Sequence, residues 1–278
     1  MTMGMDRWVR RITGWGILGV LASSMLVLAG CSSAPASGSG ASAGQDVVTV
    51  SDEPDSRRRA RIRLELATGY FSNGQVTVAL DEVKQAIAID PTYFDAYNLR
   101  GLVYQRLNSP ALAEESFRKA LALNSSAAAV QHNYGLFLCQ QGRGNEGIAL
   151  FKAAVANPVY ADRSKSYMAM AGCELALGRR ESAEANFMRS YELDPGNPVT
   201  GYNLSKLLFE RGDYTRAQFY IRRLNNSALA NSESLWLGIK VEQRMGNTDI
   251  MGQLGVQLRK RFPDSRELTW FDRGAFNE

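Results

Sequence analysis

One type of turn residue recurs along this chain at a nearly constant spacing. Successive members lie 34, 34, 36, 34 and 34 residues apart. They are Gly74, Asn108, Gly142, Gly178, Gly212 and Gly246. Glycine and asparagine adopt the left-handed backbone conformation at the lowest cost, and this conformation ends many helices. The spacing therefore predicts repeated helix pairs, each of which folds back at one of these residues.

Three further columns of residues keep the same period. Five residues after each turn residue the side chain is small until the last repeat: Ala79, Ala113, Gly147, Ala183, Ala217 and Met251. Seven residues before each turn residue the side chain is again small, except in the last repeat: Ala67, Gly101, Gly135, Ala171, Ser205 and Ile239. Nine residues after it a bulky column ends in a glycine: Val83, Phe117, Phe151, Phe187, Ile221 and Gly255. Small residues on both helices of a pair permit a close crossing, and the bulky column is expected to fill the core.

These columns with a period of 34 indicate tetratricopeptide repeats, because an ordinary helical bundle has no reason to share that period. We predict an all-α, right-handed α-α superhelix (solenoid) of six repeats within residues 55–278. The repeats start near residues 60, 94, 128, 164, 198 and 232, with a two-residue insertion between 157 and 162. Pro91, Pro195 and Pro263 are expected to close three of the second helices. A final helix from about Ser265, carrying Trp270, is predicted to cap the stack.

The first 30 residues have the pattern of a secretory signal peptide. Arg7, Arg10 and Arg11 precede an apolar run over residues 12–29, and small residues follow. An uncleaved transmembrane anchor is the alternative, because about 18 apolar residues are enough to span a bilayer. The glycines of the run and the cysteine that follows it favour cleavage.

The segment Leu28-Ala29-Gly30-Cys31 resembles the lipobox of bacterial lipoproteins. The resemblance implies that Cys31 carries lipid and becomes the new N-terminus, so that acyl chains anchor the protein to a membrane. Ser32, rather than aspartate, implies the periplasmic face of the outer membrane. Residues 31–54 are rich in Ser, Ala, Gly and Pro in their first half and are predicted to form a flexible tether.

Little in the sequence suggests chemistry at a reactive centre. The chain has one histidine and lacks the HExxH, GxSxG and phosphate-loop motifs. A net charge of only +4 argues against a nucleic-acid partner. We therefore expect no enzyme activity, cofactor, metal or small-molecule substrate. Cys139 and Cys173 match no metal motif and are expected to be two buried thiols, with a disulfide as the alternative.

A tetratricopeptide stack presents a concave groove lined by the first helix of each repeat, which suits a peptide or a partner helix. In the first three repeats the groove-facing positions are predicted to be Arg61, Leu64, Thr68, Phe71, Asp95, Asn98, Leu102, Gln105, His132 and Leu136. In the last two repeats they include Tyr202, Lys206, Phe209, Glu210, Trp236 and Lys240. The lining mixes apolar and polar groups, which predicts an apolar ligand segment with a few hydrogen-bonding groups. Leu64 and Phe71 are the favoured docking patch, unless the preceding tether covers them.

Several segments resemble one known family more specifically than the repeat does. They include "HNYGLFLCQQG", "YNLSKLLFERGDYTRAQFYI" and "ESLWLGIKVEQRMGN". Together with the lipobox, they resemble the type IV pilus biogenesis and stability lipoproteins called PilF or PilW. The resemblance implies a pilotin that binds secretin subunits and promotes their outer-membrane localisation and multimerisation. A tetratricopeptide adaptor for cell-wall synthases or hydrolases is the alternative.

Overall fold

The computed structural model describes residues 52–277, and within this range the regular structure consists of thirteen α-helices and no strand. The predicted all-α class is therefore confirmed. The first three pairs are α1 (Asp55–Ser72) with α2 (Val76–Ile89), α3 (Phe94–Arg106) with α4 (Pro110–Leu123), and α5 (Ala128–Gln140) with α6 (Gly144–Ala156). The next three are α7 (Arg163–Ala176) with α8 (Arg180–Leu193), α9 (Pro198–Glu210) with α10 (Tyr214–Asn225), and α11 (Ser232–Arg244) with α12 (Thr248–Arg261). A single helix, α13 (Arg266–Asp272), follows the last pair.

The six predicted turn residues all adopt the left-handed conformation. The φ angle is 54° at Asn108 and lies between 74° and 87° at the five glycines. At Gly142 the backbone N–H donates to the carbonyl of Cys139, and the next N–H donates to Leu138. A Cβ atom added at any of the five glycines would meet nothing within 4 Å. These positions therefore require a backbone conformation rather than space.

The small and bulky columns pack against each other where the two helices of a pair cross. The alanines five residues after the turn are fully buried in four repeats. A Cβ atom on Gly101 would lie 2.6 Å from the ring of Phe117, so the bulky residue of α4 rests on the backbone of α3. Gly135 has the same relation to Phe151. This contact explains why a small residue stands seven positions before the turn.

The helix pairs stack in sequence order. Each helix contacts its neighbours along the chain, and the first helices of adjacent repeats also touch, as α1 touches α3 and α3 touches α5. Their buried residues form successive core clusters from the first repeat to α13. The predicted insertion appears as a six-residue connection, 157–162, between α6 and α7. The predicted ends at Pro91, Pro195 and Pro263 agree with α2, α8 and α12, which each stop two residues earlier.

The capping helix α13 covers the last repeat as predicted. The side chain of Ser265 accepts a hydrogen bond from the N–H of Leu268 at 3.2 Å and so caps the N-terminus of α13. The ring of Phe271 occupies the space that a Cβ atom on Gly255 would need. The glycine that breaks the bulky column of the sixth repeat therefore makes room for an aromatic ring of the cap.

Candidate partner-binding surface

Leu64 and Phe71 of α1 both pack against the core cluster of the first repeat. Both are half-buried against the first core cluster, which Leu102 of α3 also joins. The guanidinium of Arg106 lies 5.8 Å from the centre of the Phe71 ring. The two side chains thus form a partly covered apolar surface, whereas Ile62 on another face of α1 is 50 % exposed.

Polar groove positions of adjacent first helices are bonded to one another. The amide of Asn133 donates to Asn98 at 3.1 Å, and the amide of Gln105 donates to Gln140 at 2.5 Å. His132 Nδ1 shares a 2.8 Å hydrogen bond with the hydroxyl of the buried Ser166, and burial lowers the pKa of this imidazole. Asn98, Gln105 and His132 were among the predicted groove positions, whereas Asn133 and Ser166 were not, and the sequence did not predict this pairing from repeat to repeat.

The remaining predicted groove residues of the first three repeats have separate environments. Arg61 forms ion pairs with Glu53 at 3.1 Å and with Glu65 at 3.2 Å. Thr68 is exposed, and its hydroxyl donates to a backbone carbonyl one turn earlier. Asp95 is half-buried, and burial raises the pKa of its carboxyl. Leu136 is 37 % exposed on α5.

A pocket of about 350 Å³ opens between α9, α11 and α13. Its walls combine aromatic rings with charged side chains from these three helices. The lining comprises Tyr202, Lys206, Phe209, Glu210, Glu233, Trp236, Leu237, Lys240, Arg266, Glu267, Trp270 and Asn277. Six of the lining residues on α9 and α11 were predicted groove positions, but Glu233 and Leu237 were not, and α13 was predicted only to cap the stack. The contribution of α13 could not be read from the repeat pattern, because α13 lies outside the repeats.

Cys139 and Cys173 form a disulfide between α5 and α7, so the expectation of two separate thiols is wrong. Neighbouring glycines of α6 make room for the two sulfurs. A Cβ atom on Gly147 would lie 2.5 Å from Cys139 Sγ, and one on Gly144 would lie 3.3 Å from Cys173 Sγ. The glycine at position 147, where four other repeats have alanine, was the available sequence signal.

Residues 52–277 provide neither a cluster of metal-binding side chains nor a membrane-spanning helix. They contain no group of three or more His, Cys, Asp or Glu side chains placed to hold a metal ion. None of their helices combines the length and apolar character that a membrane span requires. The predicted signal peptide, Cys31 and nearly all of the tether lie outside these residues.

Comparison with known proteins gives the repeat class directly. Residues 69–108 match a family model described as TPR repeat. Residues 98–161 and 164–197 match models described as tetratricopeptide repeat. With the stacked helix pairs, these matches define a tetratricopeptide-repeat protein.

Similarity to individual proteins shows to which family of tetratricopeptide-repeat proteins the chain belongs. The chain is 31% identical over 217 residues to the type IV pilus assembly protein PilF of Pseudomonas aeruginosa, across 78% of this chain and 85% of PilF. The solved structure of that PilF aligns with a TM-score of 0.72 at 28% identity, covering 80% of this chain and all of the other. PilW, described as a widely conserved type IV pilus biogenesis factor, aligns with a TM-score of 0.65 at 29% identity. The alignment covers 76% of this chain and 96% of PilW. The chain belongs to this family of type IV pilus biogenesis proteins.

Proposed function

We propose that this protein is an outer-membrane lipoprotein and the pilotin of a type IV pilus secretin. It binds secretin subunits, brings them to the outer membrane and promotes their multimerisation, without catalysing a reaction. The similarity to PilF over 78% of the chain is the main support. The lipobox-like segment ending at Cys31 supports a lipid anchor on the periplasmic face.

In this proposal the N-terminal segment attaches the protein to the membrane, and the repeat domain binds the client. Acyl chains contribute roughly 0.8 kcal/mol per buried methylene group, so two or more chains hold a folded domain at a bilayer. The tether predicted for residues 31–54 would give the repeat domain reach from the membrane. The concave surface then presents half-buried apolar groups such as Leu64 and Phe71 to a client segment.

The proposal is tested by complementing a deletion strain with the wild-type chain, with Cys31→Ser and with the double variant Leu64→Ala/Phe71→Ala. The wild-type chain should restore secretin multimers in the outer membrane and twitching motility. Cys31→Ser should leave the protein unlipidated and the multimers reduced. The double variant should be lipidated normally yet capture at least about tenfold less secretin, because truncation of buried anchors at the centre of an interface costs about 2 kcal/mol or more.

A matched control separates the groove from the rest of α1. Ile62→Ala/Leu66→Ala removes similar apolar volume at side chains that are 50 % and 45 % exposed. This control should capture secretin normally. Loss of capture only in the control would move the binding surface to the other side of α1. A deletion that spares secretin multimers but changes cell shape or peptidoglycan composition would instead favour the cell-wall adaptor.

A further inference from the structure

Glu267 is an acidic side chain buried in the pocket between α9, α11 and α13. The residue is only 5 % exposed and lines the pocket. It forms no ion pair or side-chain hydrogen bond with any residue from 52 to 277. Its carboxylate oxygens are not enclosed by protein and remain accessible from the pocket. A carboxylate recessed in this way without a counterion can accept a cation from a ligand.

The other deeply buried glutamate nearby shows how this chain ordinarily treats such a group. Glu242 of α11 is fully buried, and its two oxygens accept three hydrogen bonds. The donors are Arg222 at 2.8 Å, Gln218 at 2.8 Å and Asn247 at 2.7 Å. Glu267 therefore differs from Glu242 in lacking a counterion within the described fold while facing an open cavity.

The side of the pocket around Tyr202 is acidic. The pKa of the Tyr202 hydroxyl is raised by burial first and then by the negative charges of Glu233, Glu267 and Glu210. Glu210 is ion-paired with Arg180, outside the pocket lining. Glu233, like Glu267, has no ion pair among the residues described. Two of these three carboxylates are thus available to a ligand.

Aromatic rings line the same pocket. Trp236 and Trp270 have their ring centres 6.0 Å apart. The protein's own cations already rest on some of these rings: Arg266 lies 5.5 Å from Trp270, and Lys240 lies 5.7 Å from Trp236. Arg266 and Lys240 therefore lie against aromatic rings, and neither forms an ion pair with Glu267. Aromatic rings beside a carboxylate form an environment that stabilises a cation with an aliphatic stem.

We propose that this pocket binds one basic side chain, arginine or lysine, of a polypeptide partner. The cationic head lies near Glu267 and Glu233, and its methylene stem lies along Trp236 and Trp270. Binding supplies the counterion that Glu267 lacks, so charge recognition and apolar burial act at the same site. The pocket would take such a side chain whether or not the secretin is the protein's client.

The proposal can be tested with tryptophan fluorescence, because Trp236 and Trp270 both line the pocket. In the full chain the other two tryptophans, Trp8 and Trp15, are replaced by phenylalanine, so that the signal reports this pocket alone. The probes are blocked pentapeptides of serine and glycine with a central arginine, lysine, citrulline or glutamate. Arginine and lysine probes should bind at least about tenfold more tightly than the neutral citrulline probe, as expected for a desolvated charge pair.

Two variants assign the preference to the pocket. Glu267→Gln should abolish the discrimination between arginine and citrulline while leaving the helical content unchanged, because glutamine has nearly the same shape and lacks the charge. Glu181→Gln, at an exposed position on α8 outside this pocket, should leave the discrimination unchanged. If Glu267→Gln lowers the helical content, Glu233→Gln replaces it and should reduce the preference severalfold.

Equal binding of the arginine and citrulline probes by the parent chain would overturn the proposal. So would a folded Glu267→Gln variant that retains the full preference for arginine. Tighter binding of the glutamate probe would assign the recognition to Lys206, Lys240 and Arg266 instead. These probes contain no secretin sequence, so a lack of preference for arginine would not contradict the proposed pilotin function. Conversely, a loss of secretin capture would not contradict the binding of basic side chains in this pocket.

Discussion

At the scale of single residues, two kinds of glycine serve this fold in different ways. Gly142 is needed for its backbone angle, since its φ is 76° and a Cβ atom would meet nothing there. Gly147 is needed for space, since a Cβ atom would collide with Cys139 Sγ and with the carbonyl of Gly135. The periodic pattern identified the first kind and placed Gly147 in a column of small residues, but it gave no reason for glycine in place of alanine.

A paired substitution tests the conformational role. Gly142→Ala should lower the free energy of unfolding by about 1–2 kcal/mol, because a side chain disfavours the left-handed region. Gly172→Ala, at an exposed position inside α7 with open space around it, should raise the free energy of unfolding by roughly 0.5–1 kcal/mol through helix propensity. Urea denaturation of both variants measures the difference, and equal changes would contradict a requirement for positive φ at residue 142.

The residue scale also shows how far the sequence could predict the structure. Turn positions such as Asn108 and crossing contacts such as Gly101 with Phe117 follow from local rules that each repeat obeys, so they were predictable. The role of Gly255 was not, because its partner Phe271 lies outside the repeats. Likewise, the sequence places Glu267 in the predicted capping helix, but its burial depends on how α13 packs against α9 and α11.

At the scale of elements, the disulfide joins the first helices of the third and fourth repeats. The two-residue insertion between α6 and α7 makes Leu175, rather than Cys173, the periodic equivalent of Cys139. Comparison of equivalent positions therefore gave no reason to pair the two cysteines. The structure brings their Cα atoms to 5.8 Å, within the usual range for a disulfide.

Loss of this bond should weaken the middle of the stack. Cys139→Ala/Cys173→Ala should lower the free energy of unfolding by about 2–4 kcal/mol, because the unfolded chain loses a covalent loop constraint. Chemical denaturation with and without dithiothreitol measures the effect. The wild-type chain should lose a similar amount on reduction, whereas the double variant should not respond to the reductant. A reductant effect that persists in the double variant would contradict this origin.

At the scale of the whole molecule, the described solenoid has two unlike ends. The first helix leaves Ile62 and Leu66 about half exposed, whereas α13 covers the last repeat with Leu268, Trp270 and Phe271. A stack of repeats generally needs such a terminal cover to shield its last apolar face from water. The cap is therefore a structural requirement as well as one wall of the pocket.

Restoring a bulky residue in the sixth repeat should displace the cap. Gly255→Ile introduces the side chain found at the equivalent position, Ile221, and occupies the place of the Phe271 ring. We expect a loss of about 2–4 kcal/mol in stability, comparable to removing a large aromatic ring from a core, and red-shifted fluorescence from the now hydrated Trp270. Gly252→Ile on the same helix, at an exposed position where a Cβ atom would meet nothing within 4 Å, should leave the spectrum unchanged and should not lower stability, since isoleucine has a higher helix propensity than glycine. An unshifted spectrum for Gly255→Ile would show that the cap accommodates the side chain.

Because the pocket takes walls from α9, α11 and α13, it is completed only after the last segment of the chain has docked onto the finished stack. A polypeptide released before that moment, or trimmed afterwards by a protease near residue 264, could keep its six hairpins and still fail to recognise a ligand there. Ligand recognition at this pocket would thus depend on α13 being both present and docked against α9 and α11.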